Sequence, residues 1–194
     1  MSNSIVIDGN IGSGKTTVIR SLCNEYNCIE EPVNEWAPYL QEFYKDMKGK
    51  SLLFQMKVLQ HHMKNNKCDI NYILERSPLS CIHIFGQKLK DDQYLSKLDI
   101  DLMVDMNKDF GWYPQNVIYI NTPPKVCYDR IHERSRENEI IPYDYLQSIS
   151  NLYDELYLNK SMNINIPNIY IVDGTQSKEN ILAEIKKIIN VIRG

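Results

Sequence analysis

No stretch of this 194-residue chain is apolar for long enough to cross a bilayer, and Lys plus Arg (22) do not outnumber Asp plus Glu (25). The first absence excludes a membrane-spanning helix. The second, with a net charge of −3, leaves no basic surface for a nucleic-acid backbone or an anionic membrane. A small soluble partner is expected, with no nucleic acid and no membrane. Cysteine supplies no framework either. Cys23, Cys28, Cys68, Cys81 and Cys127 are odd in number and form no CxxC pair, so reduced thiols packed as small apolar groups are expected rather than disulfides or a zinc site. His61, His62, His83 and His132 form no spaced ligand set, which argues against a metal held by histidine. No basic segment, apolar signal region or small-residue cleavage site precedes the first strand, and a cytoplasmic location is expected. With no internal repeat and no long linker, a hydrophobic content of 43% suits a single domain over residues 1–194.

What is present is an alternation. Short apolar or β-branched runs at Ser4–Asp8, Asn27–Glu30, Tyr72–Glu75, Asn116–Asn121 and Asn168–Val172 are separated by stretches with helical periodicity. Runs apolar on nearly every residue, such as Val117-Ile118-Tyr119-Ile120, fit strands covered on both faces, so the pattern predicts a parallel sheet between helices. Helices are predicted over Lys15–Glu25, Tyr39–Asp46, Lys50–Asn65, Ser77–Lys88, Gln93–Lys108, Lys125–Arg134, Tyr143–Leu158 and Lys178–Ile192. In the last of these, Ile181, Ile185, Ile188, Ile189 and Ile192 share one face.

The first strand runs into Gly9-Asn10-Ile11-Gly12-Ser13-Gly14-Lys15-Thr16-Thr17, a complete GxxxxGK[ST] loop followed by a helix. Glycines at these places let backbone N–H groups turn toward phosphate oxygens, and the helix adds the positive end of its dipole. Lys15 is placed to reach the β- and γ-phosphates, and the Thr16 hydroxyl to ligate Mg²⁺. The loop therefore predicts a nucleotide phosphate site.

Ligands of open parallel sheets sit at the carboxyl ends of the strands, and further motifs fall there. Glu30-Glu31-Pro32-Val33-Asn34-Glu35-Trp36 follows the second strand, Glu75-Arg76-Ser77 follows the third, and Phe54-Gln55 lies within a predicted helix. With the phosphate loop, these residues resemble the P-loop deoxynucleoside kinases over most of the chain, to about Tyr153. The resemblance implies an α/β P-loop NTPase fold. Its three layers, α/β/α, enclose a five-stranded parallel sheet in strand order 2-3-1-4-5, with an arginine-rich lid over about 130–141. It also implies roles. Glu31 is the general base at the acceptor 5′-hydroxyl, Trp36 walls the base pocket, Phe54 and Phe85 sandwich the base, and Gln55 pairs with its edge. An amide offers a donor and an acceptor together, which suits a pyrimidine. Tyr44 and Glu139 meet the sugar 3′-hydroxyl, Arg76 holds the 5′-oxygen, and Glu75 helps to position Mg²⁺. Arg130, Arg134 and Arg136 clamp the phosphates of ATP with planar, permanently charged forks. Family members are commonly homodimers, and the Ser77–Lys88 and Tyr143–Leu158 helices are the surfaces expected to pair.

Two positions depart from the family pattern. Cys81 stands where deoxycytidine and deoxyguanosine kinases carry aspartate and thymidine-accepting relatives alanine, and a small neutral residue leaves room for a 5-methyl group. His62 stands where relatives have arginine or methionine. The lid is also one residue short between Glu139 and Pro142. The function expected is transfer of the γ-phosphoryl of ATP to a deoxyribonucleoside with Mg²⁺, thymidine or deoxycytidine favoured. A nucleoside monophosphate kinase shares the phosphate loop and the arginine lid, but Glu31 would repel a monophosphate acceptor. A regulatory nucleotide-binding protein on the same fold is the other alternative, which degenerate catalytic positions would favour. A signalling GTPase is disfavoured because Asn107-Lys108-Asp109-Phe110 lacks the last Asp of NKxD.

Overall fold

The computed structural model describes residues 2–134 and 141–194. Five parallel strands form one sheet in the order β2-β3-β1-β4-β5, as expected: β1 Ser2–Asp8, β2 Asn27–Ile29, β3 Tyr72–Glu75, β4 Pro114–Asn121 and β5 Asn168–Asp173. Alternation along β1 distributes its side chains to two cores. Ile5 and Ile7 join Ile73, Ile118 and Ile120 under α1 (Lys15–Leu22) and α8 (Lys178–Arg193), whose Ile181, Ile185 and Ile189 are buried. Val6 faces the other way with Leu74, Val117 and Tyr119. There it meets Ile149 and Tyr153 of α7 (Tyr143–Tyr153) and Leu156 and Tyr157 of the π-helical turn Asp154–Leu158 that continues it. Each fully buried Ile contributes on the order of 2–3 kcal/mol, so the layers are held chiefly by apolar area removed from water.

A third apolar cluster contains no residue of the sheet. It joins α2 (Val33–Lys45), α3 (Met47–Met63), the π-helical stretch Ser80–Gly86 and α5 (Lys97–Phe110) around Trp36, Phe43, Leu59, Ile82 and Met103. Helix α4 (Gln87–Asp91) continues the π stretch, and α6 (Pro124–Arg134) follows β4. No helix among the described residues is long and apolar enough to cross a membrane.

Several boundaries differ from the sequence expectation. Proline disfavours a helix interior, which puts the expected start of α2 at Tyr39, yet Pro38 lies inside a helix that begins at Val33 and forfeits one backbone bond there. Helix α5 starts at Lys97 because Ser96 and Asp99 cap each other's backbone N–H groups. Within the expected Ser77–Lys88 helix, Ser80–Gly86 is π-helical rather than α-helical, a distinction that apolar periodicity does not carry.

Candidate active site

The carboxyl ends of β1, β2 and β3 open onto a cleft of about 2300 Å³. Ile11, Gly12, Ser13, Gly14, Lys15, Thr16 and Thr17 line one end of it. Gly9, Gly12 and Gly14 all have positive φ (151°, 81° and 99°). At two of them space is closed as well: a Cβ on Gly9 would meet the Ile120 carbonyl at 2.7 Å, and one on Gly12 the Cys127 carbonyl at 2.6 Å. The loop is thereby pressed against β4 and α6. Lys15 Nζ donates to the carbonyls of Gly9 (2.9 Å) and Asn10 (2.7 Å), which holds its charge over the loop. Gly9 and Asn10 do not themselves line the cleft, and the Asn10 side chain instead donates to the Leu146 carbonyl at 2.9 Å, tying the loop to α7. Burial first, and then the neighbouring Arg76, push the Lys15 amine down to about 8.

Thr16 Oγ1 donates to Glu75 Oε1 at 2.8 Å, and Glu75 Oε2 accepts from the Glu31 backbone N–H at 3.4 Å. A hydroxyl and a carboxylate side by side at the mouth of a phosphate loop are hard oxygen donors, the set that suits Mg²⁺, which takes one or two carboxylates with the remainder from water and phosphate. The described residues contain no cluster of three or more His, Cys, Asp or Glu that would hold a metal by themselves.

Beside the loop, Glu31 and Arg76 form a buried ion pair. Arg76 Nη1 donates to Glu31 Oε2 at 2.5 Å, and both side chains are 9% exposed. Burial would raise the Glu31 carboxyl, but the Arg76 guanidinium, with His62 and Lys15, overcomes it and holds the group well below the usual carboxylate range. Arg76 adopts a left-handed backbone (φ 61°), an uncommon state for a side-chain-bearing residue. A network over-determines it: its N–H donates to the Ile7 carbonyl (3.0 Å), its Nε to Tyr153 Oη (3.3 Å) and its Nη2 to the Gly9 carbonyl (3.4 Å). The guanidinium also lies 4.9 Å from the centre of the Phe85 ring.

Behind Arg76 sits Asp8, fully buried. It accepts from the Gly9 N–H (2.7 Å), Tyr153 Oη (2.8 Å), Tyr157 Oη (2.6 Å) and Ser80 Oγ. Burial and Asp8 push both phenols well up, so they stay protonated and donate. Motif reading passed over this network. A carboxylate ending an otherwise apolar strand just before the loop, and tyrosines four apart on an apolar helix face, were the available signals.

Trp36, Tyr44, Phe54, Gln55 and Phe85 all line the same cleft. Phe54 stacks on Phe43 at 5.4 Å and 24°. Gln55 is buried, while Tyr44 is 58% exposed at the rim. Cys81 departs from expectation: it does not line the cleft but lies behind Gln55, its Sγ 3.4 Å from Gln55 Oε1 and 3.5 Å from the Gln55 carbonyl. Buried, it is a small spacer that holds the glutamine rather than a wall of the pocket. Arg130 and Arg134 line the loop end, and Arg130 Nη1 donates to the Ser13 carbonyl at 3.5 Å. Arg136 and Glu139 lie outside the described residues.

The deoxynucleoside kinase family profile matches residues 5–190. The chain is 34% identical over 180 residues to protein 029R of Invertebrate iridescent virus 3, covering 90% of each. It is 27% identical to human mitochondrial thymidine kinase 2, covering 92% of this chain and 73% of that one. A solved structure of deoxyadenosine kinase from M. mycoides, holding dCMP and dCDP, superposes with a TM-score of 0.82 at 27% identity and covers 97% of this chain and 99% of its own. Sequence, fold and the grouping of Lys15, Glu31 and Arg76 agree: the chain belongs to the deoxynucleoside kinase family.

Proposed function

We propose that this kinase transfers the γ-phosphoryl group of ATP to the 5′-hydroxyl of a deoxyribonucleoside in nucleotide salvage, with pyrimidines favoured and thymidine first. The observation that carries the reading is the Glu31 carboxylate, fixed by Arg76 in one cleft between the phosphate loop and the Phe54-Gln55 pair. Glu31 takes the hydroxyl proton as the acceptor oxygen bonds to phosphorus. The bond from phosphorus to the β,γ-bridging oxygen breaks, and its electrons leave on ADP. Lys15, Arg130 and Arg134, with Arg136, stabilise the spread charge, so catalysis is mostly positioning and electrostatics. Mg²⁺ would be held through Thr16 and Glu75, where it would neutralise charge on the phosphates. Glu31 near the acceptor oxygen disfavours a monophosphate acceptor by like-charge repulsion.

Base preference rests on Gln55, whose amide meets a pyrimidine edge with a donor and an acceptor, and on Trp36, Phe54 and Phe85 around the ring. A purine acceptor is the second reading, favoured by likeness to a deoxyadenosine kinase. Tyr44, with Glu139, would meet the 3′-hydroxyl. A cytoplasmic homodimer belongs to the same reading, by analogy with the family; sedimentation velocity showing a monomer would remove the dimer. The test of function is a coupled ADP-release assay with MgATP against thymidine, deoxycytidine, deoxyadenosine, deoxyguanosine and their monophosphates. Turnover with pyrimidine nucleosides is expected. Turnover with monophosphates alone would overturn the hydroxyl-acceptor assignment, and turnover with purines alone would overturn the base preference.

A further inference from the structure

A carboxylate that removes a proton must be held in orientation as well as in place, because a misaimed base loses much of its effect. Arg76 grips only Oε2 of Glu31. One grip leaves the carboxylate plane free to pivot. The other oxygen, Oε1, is faced by His62 Nε2 at 3.5 Å. His62 lies near the end of α3, two turns beyond Gln55, and is 1% exposed. Its Nε2 makes no hydrogen bond among the described residues, so a buried ring nitrogen faces Glu31 with no competing partner. The ring is confined edge-on by Trp36 (6.2 Å, 67°) and His61 (5.3 Å, 73°). Its backbone is pinned too, since the Trp112 indole N–H donates to the His62 carbonyl at 2.8 Å. A ring locked this way, within a small shift of a hydrogen bond, has little else to do.

We propose that His62 is a positioning residue for Glu31. Its Nε2–H donates to Oε1 while Arg76 holds Oε2, so the carboxylate is fixed at both oxygens and a remaining lone pair of Oε1 meets the acceptor hydroxyl. The inference rests on Glu31 being the base. Imidazole suits the task because a ring N–H on a side chain locked by packing can reach Oε1 from one fixed direction. A side-chain amide that reaches the same point should therefore substitute for it.

The test compares kcat and KM, with MgATP and the best nucleoside of the panel, for the wild type, His62→Leu and His62→Gln. Folding is followed by thermal melting and by the rise in Tm on adding ATP. His62→Leu is expected to lose about tenfold or more in kcat with KM within about twofold, and His62→Gln to recover to within about threefold of wild type. Wild-type kcat in His62→Leu would overturn the proposal, as would folded His62→Gln performing no better than His62→Leu. A loss confined to KM, or a changed ranking of bases, would show instead that the ring reads the base. If His62→Leu fails to fold, His62→Asn replaces it: its amide is one carbon too short to reach Oε1, and activity equal to His62→Gln would overturn the proposal. A wild type inert toward every nucleoside fails the reading of Glu31 before any variant is compared.

Discussion

Lys15 and Glu31 illustrate, residue by residue, how the cleft sets charge. Lys15 is buried, and its amine is pushed from 10.5 down to about 8. Between those values the unfolded chain binds more protons than the folded one, so the Lys15 contribution to stability rises with pH across that window. Nucleotide binding responds in the opposite sense, because a phosphate favours the charged amine. We expect ATP affinity, measured by calorimetry, to weaken as pH rises past about 8, with proton uptake on binding in that range. Flat affinity from pH 7 to 9.5 would show that Lys15 keeps its proton throughout. Glu31 works the other way. Its depressed carboxyl stabilises the fold above the ordinary carboxylate range and loses that contribution as the solution is acidified below it. Glu31→Gln keeps an acceptor for Arg76 but removes the charge that pairs with it in a buried place, so the variant should fold with a lowered Tm while kcat falls about a hundredfold or more. A variant with normal turnover would remove Glu31 from the role of base.

The elements show why some of this was legible beforehand. The phosphate loop and the parallel alternation follow from local sequence, whereas the strand order and the grouping of Glu31, Gln55 and Arg76 follow from the family resemblance that those motifs carry. The Asp8 network was not legible, because Tyr153 and Tyr157 reach Asp8 across the sheet and apolar periodicity already accounted for them as core. Cys81 was misplaced for a related reason. Counting along the chain from the Glu75-Arg76 pair matches a position to the family pattern but carries no side-chain direction, and the thiol lies behind Gln55. The loop itself yields a contrast between two glycines. Gly12→Ala adds a Cβ at 2.6 Å from the Cys127 carbonyl as well as backbone strain, while Gly14→Ala adds strain alone, with nothing within 4 Å. Gly12→Ala should cost about 2–4 kcal/mol and Gly14→Ala about 1–2 kcal/mol in urea denaturation. Equal costs would mean that the contact with α6 gives way without resistance.

For the molecule as a whole, the apolar layer under α8 reaches the cleft at Val18 and Ile181 and is set back from it elsewhere. Ile185 is fully buried there and does not line the cleft. Ile185→Ala should destabilise by about 2–5 kcal/mol while leaving kcat near wild type at temperatures where the variant is folded. A large loss of kcat without loss of stability would reveal coupling between that layer and the site.

The strand order also bears on how the chain is made. β1 precedes the other four strands in sequence and lies at the centre, pairing Ile5 with Ile73 on one side and Ile7 with Ile118 on the other. On the ribosome its β3 flank can pair once Tyr72–Glu75 has emerged, but its β4 flank stays unpaired until Pro114–Asn121 follows, and the phosphate loop has neither β4 nor α6 to press against before then. Nucleotide binding should therefore appear only after α6 has left the exit tunnel.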